Sequence, residues 1–412
     1  MDHNWGVSPS LLPTGEPLPS DGSLPMDALS SLAQQPFGFY VHVPYCATRC
    51  GYCDFNTYTA EELGPGVRRE TYAHTVIDEV RFATKVLGPA PPVQTVFFGG
   101  GTPTLLPSAD LALILHAIDD EFGLVPDVEV TTEANPETVD QRYLESLRAA
   151  GFNRISLGMQ SAAPHVLRTL DRQHTPGRAQ QSVSWARSAG FDHINLDLIY
   201  GTPGESDDDW RRSLEAAITA GPDHVSAYSL IVEEGTRLAA RISRGELPMP
   251  DDDALADRYL MADEALAAAG FGWYEVSNWA RSEASQCRHN LLYWTGGHWW
   301  GAGPGAHSHV GGVRWWNVKH PAAYTARLAA GVSPAHAGEV VVEADRQVER
   351  IMLGVRLASG HPLGDLSEAG RAAAERAVAD GLAEPAAYDE DRLVLTRSGR
   401  LLADAVVRSL IA

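Results

Sequence analysis

The strongest constraint on the fold is a strand–helix alternation that repeats six times. Apolar, β-branched runs stand at 37–44, 95–98, 127–132, 154–159, 193–200 and 224–230. Between them lie Ala- and Leu-rich stretches of helical period, among them 111–121, 141–150 and 179–189. Several of these stretches end in a glycine followed by an aromatic residue, as at Gly151-Phe152, Gly190-Phe191 and Gly270-Phe271. Glycine there suits a left-handed helix C-cap. Such alternation predicts an α/β fold of parallel strands joined by right-handed crossovers. Six units suit a partial (β/α)6 barrel of TIM type, whose reactive groups gather at the C-terminal ends of the strands.

After about residue 340 the texture changes. Residues 344–357 and 368–380 predict helices, and 392–402 a short wing strand leading into a last helix, together a helical, winged-helix-like domain. The expected division is a flexible, Pro- and Gly-rich tail over 1–35, a core barrel over 36–310 and the C-terminal domain over 311–412.

Charge narrows the partners. Thirty-two basic against 53 acidic side chains give a net charge of −21, which repels phosphate backbones and anionic lipid. Nucleic acid is therefore not an expected partner, despite the winged-helix shape. No run approaches the ~20 apolar residues of a membrane span, so an integral membrane protein is not expected. No secretory leader is visible. Three of the four cysteines fall within eight positions, a cluster that reads as metal ligation in a reducing cytoplasm rather than as a disulfide framework.

That cluster is Cys46-Ala-Thr-Arg-Cys50-Gly-Tyr-Cys53, directly after the first strand. A [4Fe–4S] cluster usually takes four thiolates. A loop offering three leaves one iron open to chelate the amino and carboxylate groups of a small molecule. In this spacing the segment resembles the cluster loop of radical S-adenosylmethionine (SAM) proteins. Gly51 would let the loop bend back around the cluster. Zinc is the competing reading, but it generally wants a fourth protein ligand, and Cys287 is remote in sequence. Other strand ends carry Phe98-Gly-Gly-Gly-Thr-Pro-Thr104, Glu133, Gln160 and Asp197, with Arg172 a helical segment after Gln160. Glycines let backbone approach a ligand, and Glu133 suits a ribose hydroxyl or an ammonium. Taken singly, each more often reads as a cap or a surface residue; their placement on successive strand ends raises them.

Over about residues 36–412 the chain resembles the oxygen-independent coproporphyrinogen III oxidase-like radical SAM proteins. The motifs that carry the resemblance are Tyr-Val-His-Val-Pro-Tyr-Cys, the cysteine triad, Gly-Gly-Gly-Thr-Pro-Thr, Glu-Ala-Asn-Pro, Arg-Ile-Ser-Leu-Gly-Met-Gln-Ser, Asn-Leu-Asp-Leu-Ile-Tyr-Gly-Thr-Pro-Gly and Gly-Ala-His-Ser. It implies cluster ligands at Cys46, Cys50 and Cys53. It implies SAM contacts at Tyr40, Tyr52, Gly100, Gly101, Thr102, Glu133, Gln160, Arg172 and Asp197. The family divides into oxidases and heme chaperones of the HemW type. Oxidases carry a further cysteine where this chain has Phe55, and an ordered N-terminal arm where it has the tail. Conversely, His289-Asn-Leu-Leu-Tyr293-Trp294 looks like the His-Asn-x-x-Tyr-Trp motif of the chaperones. The chaperone branch is the expected one.

It implies heme as ligand, His289 as the expected iron ligand, heme-acceptor proteins such as respiratory enzymes as partners, and a homodimer as one assembly. Five of the ten tryptophans lie between Trp294 and Trp316, with His298, His307 and His309 among them. Aromatic faces suit a flat macrocycle and neutral imidazole suits iron, although each tryptophan alone also reads as core packing. His307 alternatively faces the nucleoside of SAM, and Cys287 reads as a buried inert thiol. The alternative activity is the oxidase's, radical decarboxylation of two propionates of coproporphyrinogen III.

Overall fold

The computed structural model describes residues 13–63, 69–172 and 174–412. Strands β1 (Phe37–Val43), β2 (Val93–Gly100), β3 (Leu124–Ala134), β4 (Arg154–Gln160), β5 (His193–Tyr200) and β6 (His224–Ser229) pair in sequence order, all parallel. Helices α1 (Tyr72–Leu87), α2 (Ser108–Phe122), α3 (Gln141–Ala149), α4 (Arg178–Ala189), α5 (Asp207–Ala220) and α6 (Asp252–Ala268) pack on one face. The expected strands and helices of the barrel therefore all form, with β2, β3 and β4 longer than the apolar runs alone suggested.

The driving force lies on the helix-covered face. Phe39, Val41, Val96, Phe98, Val130, Ile155, Leu157, Ile194, Leu196, Leu198 and Val225 are all buried there, each worth roughly 1.5–3 kcal/mol of transfer free energy. Phe152, Phe191 and Phe271, the aromatics after the helix-ending glycines, drop into the same core. The sheet curls strongly: Tyr228 on β6 and Glu133 on β3 feel each other's charge although two strands lie between them. The concave side is a lumen, the partial-barrel arrangement.

The sheet continues at both edges to twelve strands. Beyond β6 lie β8 (Asn278–Ala280) and β7 (Gly272–Glu275), antiparallel. Beyond β1 lies β9 (His298–Ala302), parallel, followed by antiparallel β10 (His307–Val310), β11 (Val313–Asn317) and β12 (Ala335–Val340). The division expected at 310/311 thus falls inside the β10–β11 hairpin. A separate apolar cluster begins only at Ile351 and runs to Leu410.

That last module is helical, with Glu343–Gly354, Glu368–Ala379 and Ala403–Leu410 around a two-residue ribbon, His361–Pro362 with Arg392–Leu393. The wing strand expected over 392–402 is shorter than its apolar pattern suggested. Thr396 caps a helical turn at Arg397–Leu401 by accepting the Gly399 N–H at 3.0 Å, so the chain turns helical where a strand was expected. Arg397 and Arg400 of that turn grip Asp263 of α6 and dock the module on the barrel.

Residues 1–12 of the expected tail lie outside the described residues. Residues 13–35 are docked, not loose. Glu16 bridges Gly338 at the β12 edge, and Ala28 and Leu32 sink into the main core. Composition alone missed this because a Pro-rich segment needs only a few backbone bonds to cover an open sheet edge.

Candidate functional site

The loop after β1 returns the three cysteines to the mouth of the lumen. Its shape is fixed by backbone bonds: Cys46 N–H to Tyr58 O at 3.0 Å and Gly51 N–H to Leu170 O at 3.1 Å. A Cβ on Gly51 would stand 2.7 Å from Asp171 Oδ2, so the close approach that demands glycine is to Asp171. Asn56 ties the loop to distant chain, donating to the carbonyls of Pro304 and Lys319 at 2.9 Å each. His42 Nε2 bonds Asn56 O at 2.9 Å and Nδ1 bonds Tyr40 OH at 3.0 Å.

Arg172 donates from Nη1 to Cys50 Sγ at 3.4 Å and from Nη2 to Gly158 O at 3.2 Å. Burial pushes the Cys46 and Cys53 thiols up, Cys53 to about 12; a cationic metal centre supplies the field that makes such sulfurs thiolates. Among the described residues no three His, Cys, Asp or Glu side chains could hold a single metal ion.

The glycine motif follows β2. Gly101 N–H donates to Val43 O at 2.8 Å and Thr102 N–H to Tyr45 O at 2.7 Å, and a Cβ on Gly101 would meet Tyr45 O at 2.5 Å. Only glycine allows that approach. Gly100 N–H donates to Glu133 Oε2 at 3.0 Å. Burial, then the charge of Asp197, pushes Glu133 up to about 8. Asp197 is raised by burial against hydrogen bonds from Ser156, Ser226 and Asn195 and the pull of Arg172. Gln160 holds φ of +64° at the β4 end, a conformation residues with side chains rarely adopt. Its Oε1 and Arg172 Nε are buried without a partner. Tyr52 lies close enough to Arg172 and Asp197 to feel both. The structure thus brings Tyr40, Tyr52, Gly100, Gly101, Thr102, Glu133, Gln160, Arg172 and Asp197 to one end of the lumen, beside the thiols. Orphaned donors and acceptors next to two carboxyls fit a small zwitterionic cation.

Deeper in the lumen the residues were not foreseen. Asn195 donates from Nδ2 to Ser156, Asp197 and Ser226 at 2.7–3.0 Å and accepts at Oδ1 from His224 Nδ1, whose other nitrogen bonds Tyr274 OH at 2.7 Å. The signal was available as alternate polar residues, Arg154-x-Ser156 and Asn195-x-Asp197, inside apolar strands.

His289, the expected iron ligand, already has partners at both ring nitrogens. It lies on helix α7 (Arg288–Trp294), 1% exposed, with Nδ1 2.8 Å from Thr95 Oγ1 and Nε2 2.8 Å from Tyr293 OH. Its ring stacks on Phe97 and Tyr40, and burial holds it down at about 3. Both nitrogens are committed, so iron reaches neither without breaking a buried bond. The rest of the motif does similar work. Asn290 and Trp294 donate to Glu275, which burial raises to about 7. The motif plugs the lumen behind Tyr40. Cys287 is buried, as expected, 3.6 Å from Glu129 Oε1. Trp300, Trp315 and Trp316 are core residues.

The Radical SAM superfamily profile matches residues 40–217. The fold resembles the coproporphyrinogen III oxidase HemN of Escherichia coli, with a TM-score of 0.78 over 97% of this chain and 96% of that one, at 21% identity. The heme chaperone HemW of Escherichia coli is 36% identical over 67% of this chain and 70% of its own. The heme chaperone HemW of Mycobacterium tuberculosis is 55% identical over 94% of this chain and 97% of its own. With likeness of that extent joined to a cysteine loop and polar lumen of this geometry, the chain belongs to the heme chaperone HemW family of radical SAM proteins.

Proposed function

We propose that this protein binds heme and passes it to acceptor proteins such as respiratory enzymes, in the cytoplasm, with a [4Fe–4S] cluster on Cys46, Cys50 and Cys53 and SAM beside it. A cluster with an open iron supplies a site that SAM's amino and carboxylate groups can chelate. The protein's own groups would do the rest. Arg172 positions Cys50, Glu133 and Asp197 offer carboxyls to the amino N–H groups and the ribose, and the Gly100–Thr102 turn lets backbone approach. His42 and Asn56 hold the loop in register.

The observation that carries the chaperone reading over the oxidase is the near full-length identity to HemW proteins. Phe55, standing where oxidases have a cysteine and 60% exposed, agrees with it. The test is anaerobic: reconstituted protein given SAM and coproporphyrinogen III should yield no decarboxylated porphyrinogen, and hemin should give a saturable Soret shift. Robust turnover, or absence of the shift, overturns the proposal.

A further inference from the structure

Granting the heme reading above, we infer that His307, rather than His289, is the side chain that takes the heme iron, with Trp316 against its ring and Lys319 beside it.

Five histidines at the lumen and the β9–β10 edge are bonded at both ring nitrogens. His42 bonds Tyr40 and Asn56, His224 bonds Asn195 and Tyr274, and His289 bonds Thr95 and Tyr293. His298 bonds Ser31 and the Gly311 N–H, and His309 bonds Gly297 O and the Gly312 N–H. His307 differs. It is exposed at the start of β10, and among the described residues neither ring nitrogen has a hydrogen-bond partner. Its ring stacks on Trp316 with centroids 5.8 Å apart and planes 29° apart, which fixes the imidazole's orientation.

The surroundings match a macrocycle with two carboxylates. Partial desolvation of the ring against its neighbours, then the charges of Lys319 and Arg314, disfavour a proton on His307 and leave the imidazole able to ligate. Arg314 is taken by Glu339 and Glu349. Lys319 also lines a cleft of about 210 Å³ with Arg49, Phe55 and Cys53. That cleft has the exposed ring of Phe55 as an aromatic platform and the charges of Arg49 and Lys319 at its wall, next to the cluster loop. The charge of His307 also reaches His42 on β1, which places it at the lumen mouth.

Hemin titration of the full chain, cluster reconstituted, tests this by the Soret band and resonance Raman of the axial ligand. His307→Ala should weaken Kd by roughly tenfold or more, and added imidazole should restore the wild-type spectrum. His307→Met should still bind but with a shifted spectrum, since a thioether replaces the imidazole. Iron and sulfide content reports whether each variant kept its fold. Unchanged affinity and Raman signature in His307→Ala overturns the assignment. Loss of the Soret band in His289→Ala with cluster intact, but not in His307→Ala, returns the role to His289. Wild-type protein that takes no hemin overturns instead the heme reading on which this rests.

Discussion

The two faces of the curled sheet come from the same strands and obey opposite rules. On β5, Ile194, Leu196 and Leu198 point out into the helix layer and are fully buried, while Asn195 and Asp197 between them point in. A closed barrel of this general type fills its interior with branched aliphatic side chains. Here the interior carries Ser156, Asn195, Asp197, Ser226, His224 and Glu133, bonded mostly to one another. The convex face holds the fold together; the concave face is a polar chamber that sacrifices apolar burial for ligand chemistry. Alternate residues of one strand therefore answer to different demands.

Substitutions can break or sharpen that contrast. The largest effect is expected at the chamber's rim. Cys50→Ser should abolish the brown colour, drive iron and sulfide content towards zero and remove SAM binding, while far-UV circular dichroism stays native because the loop is outside the apolar core. A retained cluster would refute the ligand set. Next, on the convex face, Phe98→Ala empties a fully buried site against Phe152. Denaturant unfolding should show a loss of about 4 kcal/mol, with SAM affinity in the folded protein little altered. Then Asp197→Asn, on the concave face, should do the reverse. SAM affinity by calorimetry should fall about tenfold, or about 1.4 kcal/mol, and unfolding should change by less than about 1 kcal/mol. A stability loss equal to that of Phe98→Ala would erase the distinction between the faces.

The smallest effect is in pH. Glu133 is raised from 4.5 to about 8. A raised carboxyl stabilises the fold while protonated, so its contribution is present below 4.5 and is lost as pH rises through about 8. SAM's cationic groups need the carboxylate, so affinity should rise over that upper range, with protons released on binding near pH 7. Calorimetry in two buffers of different ionisation enthalpy checks this; identical heats would exclude Glu133 as the titrating contact.

Much of this was legible in the sequence for a physical reason. The strands and helices of the barrel follow from apolar period, and the cysteines, Gly101 and Glu133 stand at strand ends where any parallel α/β fold presents its ligands. What was missed depends on contacts between distant segments. The inward polar residues were hidden because strands such as 193–200 are apolar enough overall to read as plain core. The partners of His289 were invisible because a motif shows which residues recur together, not which nitrogens are already bonded, and only Thr95 and Tyr293 in place reveal that. The wing was misjudged because Thr396 is an N-cap only if the following turn closes. Asp263 gave no signal at all: hydrogen bonds from Arg400 and Trp279 outweigh its burial and hold its carboxyl below the usual range, and both partners are remote in sequence.

Asn56 carries a consequence for biogenesis. It anchors the cysteine loop to carbonyls 248 and 263 residues further along the chain, so when the cysteines leave the ribosome the buttress that shapes their loop has not yet been made. A nascent or truncated chain offers three sulfurs on an unbraced hairpin. Stable acceptance of iron and sulfide is therefore expected only after β9 to β11 have closed against β1, a late metallation that would double as an inspection of the finished sheet.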